Sequence, residues 1–340
     1  MIKIGIQERK NSFSEGWIQY CKKNGVSYKL IDVYSNDVIS QLEDCDAFMW
    51  HFHHTDYRDI QFAKSLLRSL EQKGIKVFPN SASCWHFDDK IAQKYLLEAI
   101  GAPLVPTYVF YTEKDAMKWI HETTFPKVFK LKGGAGASNV KLACTRKDAL
   151  KLIKQCFGKG FRQYRYQEQI KENYRKFKSG KNKLKDIFRP LYYEFIKKYP
   201  TDLDHYLGKE IGYAYFQDFI PNNTFDIRVC VVGNKAFALK RMVRTNDFRA
   251  SGSGNILYNR SEIDERCIKI AFEVNQKLKM QSVAFDFVFD GNNNPLIVEI
   301  SYGYTGRAYR KCEGYWTDDM QWHEETGFDF YGWMVENTIG

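Results

Sequence analysis

A β-hairpin in the C-terminal half constrains the fold of this chain more than any other feature. Two β-rich runs, Phe225–Val232 and Lys235–Val243, flank the dipeptide Gly233-Asn234. Glycine and asparagine both tolerate the positive φ angles that a two-residue turn requires. If these two residues are the whole turn, the register follows, with Val232 facing Lys235.

This register gathers three charged side chains on one face of the hairpin. Counting back from the turn places Asp226 opposite Arg241, and the period of two of a β-strand puts Arg228 on the same face. The opposite face is apolar apart from Lys240. The charged face is either a surface ion-pair network or a site for an anion, because planar guanidinium groups bind carboxylates and phosphates well.

A second hairpin is predicted over residues 282–301, SVAFDFVFDGNNNPLIVEIS. Strand periodicity predicts one apolar face, formed by Phe285, Phe287, Phe289, Leu296, Val298 and Ile300. Asp286, Glu299 and Ser301 then share the other face. Two carboxylates on adjacent strands repel each other unless a cation lies near them, and an all-oxygen donor set suits Mg²⁺. A solvent-exposed face with unpaired acids is the alternative.

A loop rich in small residues is predicted between strands at 125–131 and 140–143. Small residues let backbone N–H groups approach a polyphosphate, and Lys130 on the preceding strand supplies positive charge. The loop residues that we assign to phosphate binding are Gly133, Gly134, Gly136 and Ser138. An ordinary turn is the alternative, because the loop matches neither a P-loop nor a dinucleotide-binding fingerprint.

The first 85 residues alternate strand-like and helical patterns in a βαβαβ order, which predicts a parallel sheet with helices on its faces. The run His51-Phe52-His53-His54 follows the third strand, where ligands of such sheets bind. Its spacing matches no zinc pattern, so histidines without a metal are favoured over a substrate contact. Beyond this region, a helix predicted from Asp88 carries Lys90 in its first turn, where the helix dipole disfavours a cation.

Residues 157–211 are rich in Lys, Arg, Tyr and Phe and are predicted to form helical segments inserted into the core fold. Ten Lys and Arg against two Glu lie between Lys159 and Lys185, a local charge of +8 in a chain whose net charge is +10. The rest of the chain is therefore close to neutral, and its overall basicity does not indicate nucleic-acid binding. A solvated basic face is favoured, with contact to a polyanionic acceptor or an anionic membrane surface as alternatives.

The composition indicates a folded protein of a reducing compartment. No apolar run approaches the roughly 20 residues of a membrane span, and the N-terminus lacks the pattern of a signal peptide. The eight cysteines are scattered without a CxxC pair. We therefore expect reduced thiols and a cytoplasmic location rather than disulfides or structural zinc.

Taken in chain order, these motifs resemble the ATP-grasp superfamily. The order is Lys90, Lys130 with its glycine-rich loop, FQDFI at 216–220, FDIR at 225–228, KRMVR at 240–244 with DFR at 247–249, and the Asp286/Glu299 pair. The likeness spans residues 80–305 or so and is strongest to the ribosomal-protein glutamate ligases, and looser to D-alanine–D-alanine ligase and glutathione synthetase. It implies an α/β (α+β) protein with an ATP-grasp fold behind an N-terminal Rossmann-like parallel domain. The implied domains are 1–85, a central subdomain at 86–214 and a C-terminal subdomain at 215–340.

The resemblance also implies two cofactors, ATP and Mg²⁺, and roles for individual residues. The nucleotide would be bound by Lys90, Lys130, the 133–138 loop, the hinge Gln217, Asp218, Phe219 and Ile220, the ribose ligand Asp226, and Lys240. The transferring phosphoryl group and the acyl intermediate would be neutralised by Arg228, Arg241 and Arg249. Mg²⁺ would be held by Asp286, Glu299 and Ser301, of which Ser301 stands where relatives usually carry Asn.

The implied reaction is ATP-dependent ligation of a carboxylate to an amine through an acylphosphate, which needs no covalent protein nucleophile. The segments DFRASGSG and GYWTDD are similar to ATP-grasp proteins of bacterial surface-polysaccharide clusters. This likeness implies a small-molecule or glycan carboxylate, such as a sugar acid, and an amino acid or other amine as substrates. A small-molecule kinase and a non-catalytic nucleotide-binding protein are the alternatives, and no nucleic-acid partner is expected.

Overall fold

The computed structural model describes residues 2–134, 139–162, 170, 173–174, 177, 183–196 (backbone only at 193–194), 202–243, 248–250 and 254–340. The chain forms two compact units. The first comprises residues up to 53, 58–106 and 220–340, and the second comprises 54–57 and 107–219. The domain boundaries at 85 and 214 stay a prediction. In the structure, the N-terminal and C-terminal sheets fall within one compact unit.

The N-terminal part of the first unit is a parallel sheet covered by helices. Its strands are β1 (Lys3–Ile6), β2 (Ser27–Leu30), β3 (Ala47–Met49) and β4 (Lys76–Phe78), in the order β2-β1-β3-β4 with every pair parallel. Its helices are α1 (Phe13–Asn24), α2 (Val38–Gln41), α3 (Tyr57–Lys73), α4 (Ser81–Cys84) and α5 (Lys90–Ala99). The parallel sheet predicted from the βαβαβ order is confirmed.

The second unit is built on an antiparallel sheet. Its strands are β5 (Thr107–Phe110), β6 (Lys127–Lys130), β7 (Val140–Ala143), β8 (Phe161–Arg162), β9 (Lys209–Glu210) and β10 (Ala214–Asp218). Four of them pair in the order β5-β10-β6-β7, while β8 and β9 pair only with each other. Its helices are α6 (Glu113–Glu122), α7 (Arg146–Phe157), α8 (Leu184–Phe195) and α9 (Asp202–Leu207). Apolar residues of α6 and α7, such as Ile120 and Ile153, pack with Phe129 and Phe216 into one core.

The C-terminal part of the first unit is a seven-stranded sheet. Its strands are β11 (Phe225–Val232), β12 (Lys235–Met242), β13 (Ile256–Leu257), β14 (Ser282–Phe289), β15 (Pro295–Ser301), β16 (Gly314–Thr317) and β17 (Trp322–Glu324). They pair in the order β15-β14-β11-β12-β16-β17, and β13 pairs with β12. Two further helices are α10 (Glu265–Leu278) and α11 (Phe330–Ile339), and short 3₁₀ turns lie at Arg260–Glu262 and Gly306–Tyr309.

The hairpin register predicted from the Gly233-Asn234 turn is confirmed, since Val232 faces Lys235 and Asp226 faces Arg241. The division into one core face and one charged face is only half right. Near the turn, the face that carries Asp226 is itself apolar, and its Phe237 is fully buried. There it packs on residues of α1 and α11, while the opposite face packs on α10.

The second predicted hairpin is present, with one correction to its apolar face. A register shift between Asp286 and Phe287 leaves Val298 as an extra residue in β15. The alternation of β15 therefore changes at this bulge. Ile297 becomes fully buried opposite Phe287, whereas the predicted Leu296 and Val298 are half-buried. Residues C-terminal to the bulge keep the predicted face, so Asp286 still lies opposite Glu299.

Helices α1 and α11 join the N-terminal and C-terminal parts of the first unit through reciprocal aromatic–glycine contacts. A Cβ atom at Gly16 in α1 would lie 2.3 Å from the Tyr331 ring, and one at Gly332 in α11 would lie 2.5 Å from the Tyr20 ring. Only glycine leaves room for a ring that close to the helix backbone. Among the described helices, none is both long and apolar enough to cross a membrane.

We predict that His86 makes the folded state acid-sensitive. His86 is fully buried and neither ring nitrogen has a hydrogen-bond partner among the described residues. Burial, reinforced by the nearby Lys64 ammonium, lowers its pKa from 6.5 to about 4. As pH falls from 6.5 to 4, the unfolded chain binds a proton at this residue that the folded chain does not, which favours unfolding. The free energy of unfolding should fall by about 3 kcal/mol over this window.

Urea unfolding at neutral pH and near pH 4 measures this effect. His86→Gln should remove the part of the acid loss that comes from this residue, whereas His121→Gln, at an exposed position, should leave it unchanged. An equal acid loss in the His86→Gln protein and the unsubstituted protein would contradict the prediction.

Candidate active site

Four charged side chains form a continuous network across three adjacent strands of the C-terminal sheet. Arg241 on β12 binds Asp226 on β11 through two bonds of 2.6 Å, from Nε to Oδ1 and from Nη2 to Oδ2. Arg228 on β11 binds Asp286 on β14 in the same bidentate way, at 2.5 and 2.6 Å. Arg241 Nη2 also lies 3.0 Å from Asp286 Oδ2 and so links the two pairs. We call these four residues the Arg–Asp network.

The Arg–Asp network is balanced in charge and largely removed from water. Burial by itself raises the pKa of Asp286, but attraction to Arg228 and Arg241 outweighs it and holds that pKa well below its usual range. At Asp226 burial dominates, and its pKa is raised despite the pairing with Arg241. Asp286 is therefore the more firmly ionised of the two, because it contacts both guanidiniums.

Glu299 and Lys90 lie beside this network. Glu299 on β15 is the register partner of Asp286, and its carboxylate lies 3.7 Å from the ammonium group of Lys90, the first residue of α5. The Lys90 side chain is buried, while that of Glu299 is one-third exposed. The Gln93 side chain accepts a hydrogen bond from the Ile300 backbone N–H, which ties α5 to β15. The position of Lys90 at a helix N-terminus is thus explained by an acidic partner on a neighbouring strand.

The third predicted metal ligand, Ser301, is engaged in its own turn. Its hydroxyl donates to the Gly303 carbonyl at 2.9 Å and accepts from the Gly303 N–H at 3.2 Å. Across the described residues, no group of three or more His, Cys, Asp or Glu is arranged to hold a metal ion. The structure therefore brings Asp286 and Glu299 together as predicted, with guanidinium and ammonium groups as their neighbours.

Two other predicted residues do not join the network. Lys240 lies on the opposite face of β12 from Arg241, because side chains alternate along a strand. It pairs with Glu262 at 2.7 Å and lies over the Phe225 ring. Arg249 lies near the Phe248 ring, 6.0 Å from its centre. Residues 244–247 and 251–253 on either side of it are outside the described part of the chain.

In the second unit, the pairing of β6 with β10 brings predicted nucleotide-binding residues from the two strands together. The buried Lys130 ammonium donates to the Gln217 side-chain oxygen at 2.5 Å, and the Gln217 amide donates to Thr107. On the other face of β6, Lys127 binds the Asp218 carboxylate at 2.5 Å. Sequence reasoning missed Lys127, although its spacing of three from Lys130 on a short strand signals a second lysine pointing to the other face.

The start of the glycine-rich loop is anchored by a tyrosine. The Tyr213 hydroxyl accepts the Lys132 backbone N–H at 2.7 Å and donates to Glu210. Gly134 has a φ of +102°, which favours glycine. Of the predicted phosphate-binding residues, Gly133 and Gly134 are described, and Gly136 and Ser138 lie outside the described residues. The predicted hinge residues Phe219 and Ile220 lie where the chain leaves the second unit and enters the first.

The N-terminal sheet carries a further polar cluster that sequence reasoning found only in part. His51 Nδ1 accepts the Phe13 backbone N–H at 3.1 Å and lies 3.0 Å from Ser12 Oγ. Nearby, the fully buried Asp59 binds Arg9 at 2.9 Å. Asp59 gave no sequence signal, because it lies inside the amphipathic pattern of α3. The contacts of His51 and those of Asp59 lie near the carboxyl ends of β1 and β3, where open parallel sheets bind ligands.

A profile of the RimK-like ATP-grasp domain matches residues 203–311. The structure is similar to that of a RimK-domain ATP-grasp protein from Sphaerobacter thermophilus, with a TM-score of 0.59 and 15% identity over 99% of this chain and 100% of that one. The chain has the ATP-grasp fold. The ATP-grasp fold and the fold class expected from the motif order are confirmed.

Two further solved structures share this fold. Biotin carboxylase from Campylobacter jejuni, in a βγ-ATP complex, has a TM-score of 0.62 and 14% identity over 99% of this chain and 70% of that one. D-alanine–D-alanine ligase from Bacillus anthracis, complexed with ATP, has a TM-score of 0.57 and 13% identity over 99% of this chain and 95% of that one. No curated protein sequence matches this chain.

We predict that removing any one charge of the Arg–Asp network lowers the free energy of unfolding, because the remaining buried charges are then unbalanced. Asp286→Asn leaves two guanidiniums with one carboxylate in a buried position, and removing one partner of a buried ion pair costs about 3 kcal/mol or more. Urea unfolding at neutral pH should show this loss for Asp286→Asn. Asp318→Asn, an exposed matched substitution, should change the free energy of unfolding by less than about 0.5 kcal/mol.

A double-mutant cycle distinguishes the network from four independent contacts. The pair Arg228→Gln and Asp286→Asn removes one charge of each sign and leaves Arg241 with Asp226. Its combined loss should be smaller than the sum of the two single losses. Strict additivity would show that the two side chains do not act as a pair.

Proposed function

We propose that this protein is an ATP-dependent carboxylate–amine ligase that activates its carboxylate substrate as an acylphosphate. The observation that carries the proposal is the Arg–Asp network with Glu299 beside it, on the sheet of an ATP-grasp fold. In the reaction, a carboxylate oxygen attacks the γ-phosphorus of ATP and ADP leaves. An amine then attacks the acyl carbon, and phosphate leaves. The protein supplies positioning and charge neutralisation, which dominate catalysis of phosphoryl transfer.

The guanidiniums of the network are suited to the negative charge of this reaction. Arg228 directs two of its five N–H donors to Asp286, and its side chain keeps 25% exposure. Its remaining donors suit an oxygen of the phosphoryl or carboxylate group. Asp226 uses both of its oxygens for Arg241. We therefore assign Asp226 the role of holding Arg241, rather than that of binding a ribose hydroxyl.

We assign nucleotide binding to residues of the predicted hinge, the glycine-rich loop and two lysines. Lys130 is buried and already contacts the Gln217 oxygen, so its ammonium group is held in one position. Lys90 faces Glu299 at the end of α5. The hinge segment 217–220 would bind adenine through backbone groups, and the loop at 133–138 would bind phosphates. ATP complexes of two proteins with this fold support the assignment.

The donors for Mg²⁺ would be Glu299 and Asp286, with Ser301 as a weaker third, and Asp286 would have to share oxygens that already accept from Arg228 and Arg241. The set fits Mg²⁺ in chemistry, because carboxylate and hydroxyl oxygens are its preferred ligands and it keeps several waters and phosphate oxygens of its own. Glu299 suits this role best, because it is one-third exposed and its lysine partner is 3.7 Å away. When bound, the ion would neutralise charge on the phosphates. Ser301 would first have to leave its bonds to Gly303.

That engagement of Ser301 favours a second candidate function, non-catalytic nucleotide binding. A protein of this kind would bind ATP without releasing ADP in the presence of any acceptor. An ATP-grasp kinase would instead release ADP and form a stable phosphorylated product without an amide. Mass spectrometry of the products separates all three functions.

For the substrates, we propose a sugar acid or other glycan carboxylate and an amino acid or related amine. The support is the similarity of the DFRASGSG and GYWTDD segments to ATP-grasp proteins of surface-polysaccharide clusters. Because ATP is an intracellular substrate, we place the reaction in the cytoplasm.

We predict that sustained, multiple-turnover release of ADP requires a carboxylate, an amine, Mg²⁺ and Glu299. A screen of sugar acids against amino acids, with coupled detection of ADP, tests the reaction. Glu299→Gln should lower kcat at least about a hundredfold, since it removes a charge directed at the metal and phosphates. Chelation of divalent ions should abolish release. Turnover of Glu299→Gln at the unsubstituted rate would contradict the metal assignment.

Nucleotide affinity provides a separate test. Lys130→Met should weaken ATP binding by about tenfold, because a buried cation that contacts phosphate or purine is lost. Isothermal titration with ATP and Mg²⁺ measures this. Lys118→Met, at an exposed position of α6, is the matched control and should bind ATP normally. Equal affinities in the two variants would overturn the assignment of Lys130.

A further inference from the structure

Helix α8, within the basic insertion, and the residue that follows it, Ile196, expose large apolar side chains. The exposed fractions are 59% for Leu184, 58% for Phe188, 54% for Tyr192, 73% for Phe195 and 69% for Ile196. Of the fifteen exposed large hydrophobic residues in the described part of the chain, nine lie between residues 174 and 211. Scattered apolar residues on a surface are ordinary, but a concentrated patch indicates a binding surface.

The spacing of these residues places them on one side of the helix. Positions 184, 188, 192 and 195 recur every three to four residues and therefore share one face. The neighbouring face carries Ile187, Pro190 and Leu191, which are buried or half-buried against the protein. The helix is thus apolar over a wider arc than its own fold covers, and we call the exposed part the α8 stripe.

Positive charge borders the α8 stripe. Lys185 and Arg189 are exposed and lie next to the stripe on the helical wheel, on the side away from the buried face. In the sequence, the run from Lys159 to Lys185, which includes this Lys185, carries a net charge of +8 in 27 residues. Basic residues at the edge of an apolar helical face can extend to phosphate groups while their neighbours enter an apolar layer.

We propose that the α8 stripe binds the surface of an anionic phospholipid bilayer. The combination of an apolar face and flanking Lys and Arg is that of an interfacial helix, which lies in the plane of the membrane. Lipid phosphates and acidic headgroups match the basic run, and the acyl boundary takes up the phenylalanine and leucine side chains. A nucleic acid would use the positive charge but would leave the stripe exposed to water. With 12 residues, α8 is too short to cross the bilayer.

This inference concerns where the protein acts and does not depend on the proposed reaction. Membrane attachment would place the catalytic fold next to substrates carried on lipid or presented at the bilayer surface. Vesicle binding can be measured without ATP or substrates. A failure of the ligase assay would therefore leave the membrane result unaffected, and the reverse also holds.

Flotation of the full-length protein with extruded vesicles tests the proposal. Vesicles of phosphatidylcholine alone should bind little protein, whereas mixtures with phosphatidylglycerol should bind it strongly and lose it as salt is raised. The double variant Leu184→Ser/Phe188→Ser should bind anionic vesicles at least about tenfold more weakly. Leu30→Ser/Ile39→Ser removes two other exposed apolar side chains, at 53% and 43% exposure, and should bind normally.

A charge variant makes the test independent of helix folding. Lys185→Gln/Arg189→Gln keeps the stripe and should lose binding to anionic vesicles only in part, with a weaker dependence on salt. Circular dichroism and thermal unfolding of all variants should match the unsubstituted protein. Four results would overturn the proposal. The first two are no binding to anionic vesicles and equal binding by the stripe variant and its control. The others are salt-sensitive binding of oligonucleotides with none to vesicles, and self-association that the stripe variant abolishes, again without vesicle binding.

Discussion

Two guanidiniums and two carboxylates on one face of a β-sheet are the interaction on which the rest of the first unit depends. Each pair joins two neighbouring strands, and the contact of Arg241 with Asp286 joins the pairs, so three strands are bound at one end. Removing charges from water is costly unless their hydrogen bonds are satisfied together. Here they are satisfied by bidentate geometry, which holds the strands in register. The same strands continue into an apolar core near the turn, where Phe237 is buried.

The electrostatics of this network favour a role in binding as well as in folding. Asp286 stays ionised because two cations contact it, and the guanidiniums stay in place because their carboxylates are fixed by the strands. Glu299 is more exposed and is held less closely by its lysine. In the proposed function, Glu299 is therefore the carboxylate better suited to hold a divalent ion, next to preorganised N–H donors. Such donors stabilise developing charge without reorganising during the reaction.

The two anion-binding surfaces that we infer, the Arg–Asp network and the α8 stripe, would bind anions through different interactions. In the Arg–Asp network, a few buried donors are held in fixed directions, which suits recognition of one phosphoryl or carboxylate group. On α8, the exposed Lys185 and Arg189 lie beside apolar side chains, and the sequence before the helix is rich in Lys and Arg, which suits a surface of many lipid headgroups. A buried network selects one ligand, whereas a spread of charge attracts a whole surface and is weakened by salt. Under these two proposals, one chain would both position a small substrate and attach to a membrane.

The sequence by itself determined the local geometry. The Gly233-Asn234 turn set the register that brings Asp226 to Arg241, because turn length and strand period are local properties. The order of motifs identified the fold. Only the tertiary structure decided the contacts between residues that are distant in the chain. The pairing of β11 with β14 joins Arg228 to Asp286, and a bulge in β15 moves Ile297 into the core. Burial of His86 and pairing of Lys240 with Glu262 likewise arise only when separate elements pack together, since desolvation and ion pairing depend on distance in space rather than in sequence.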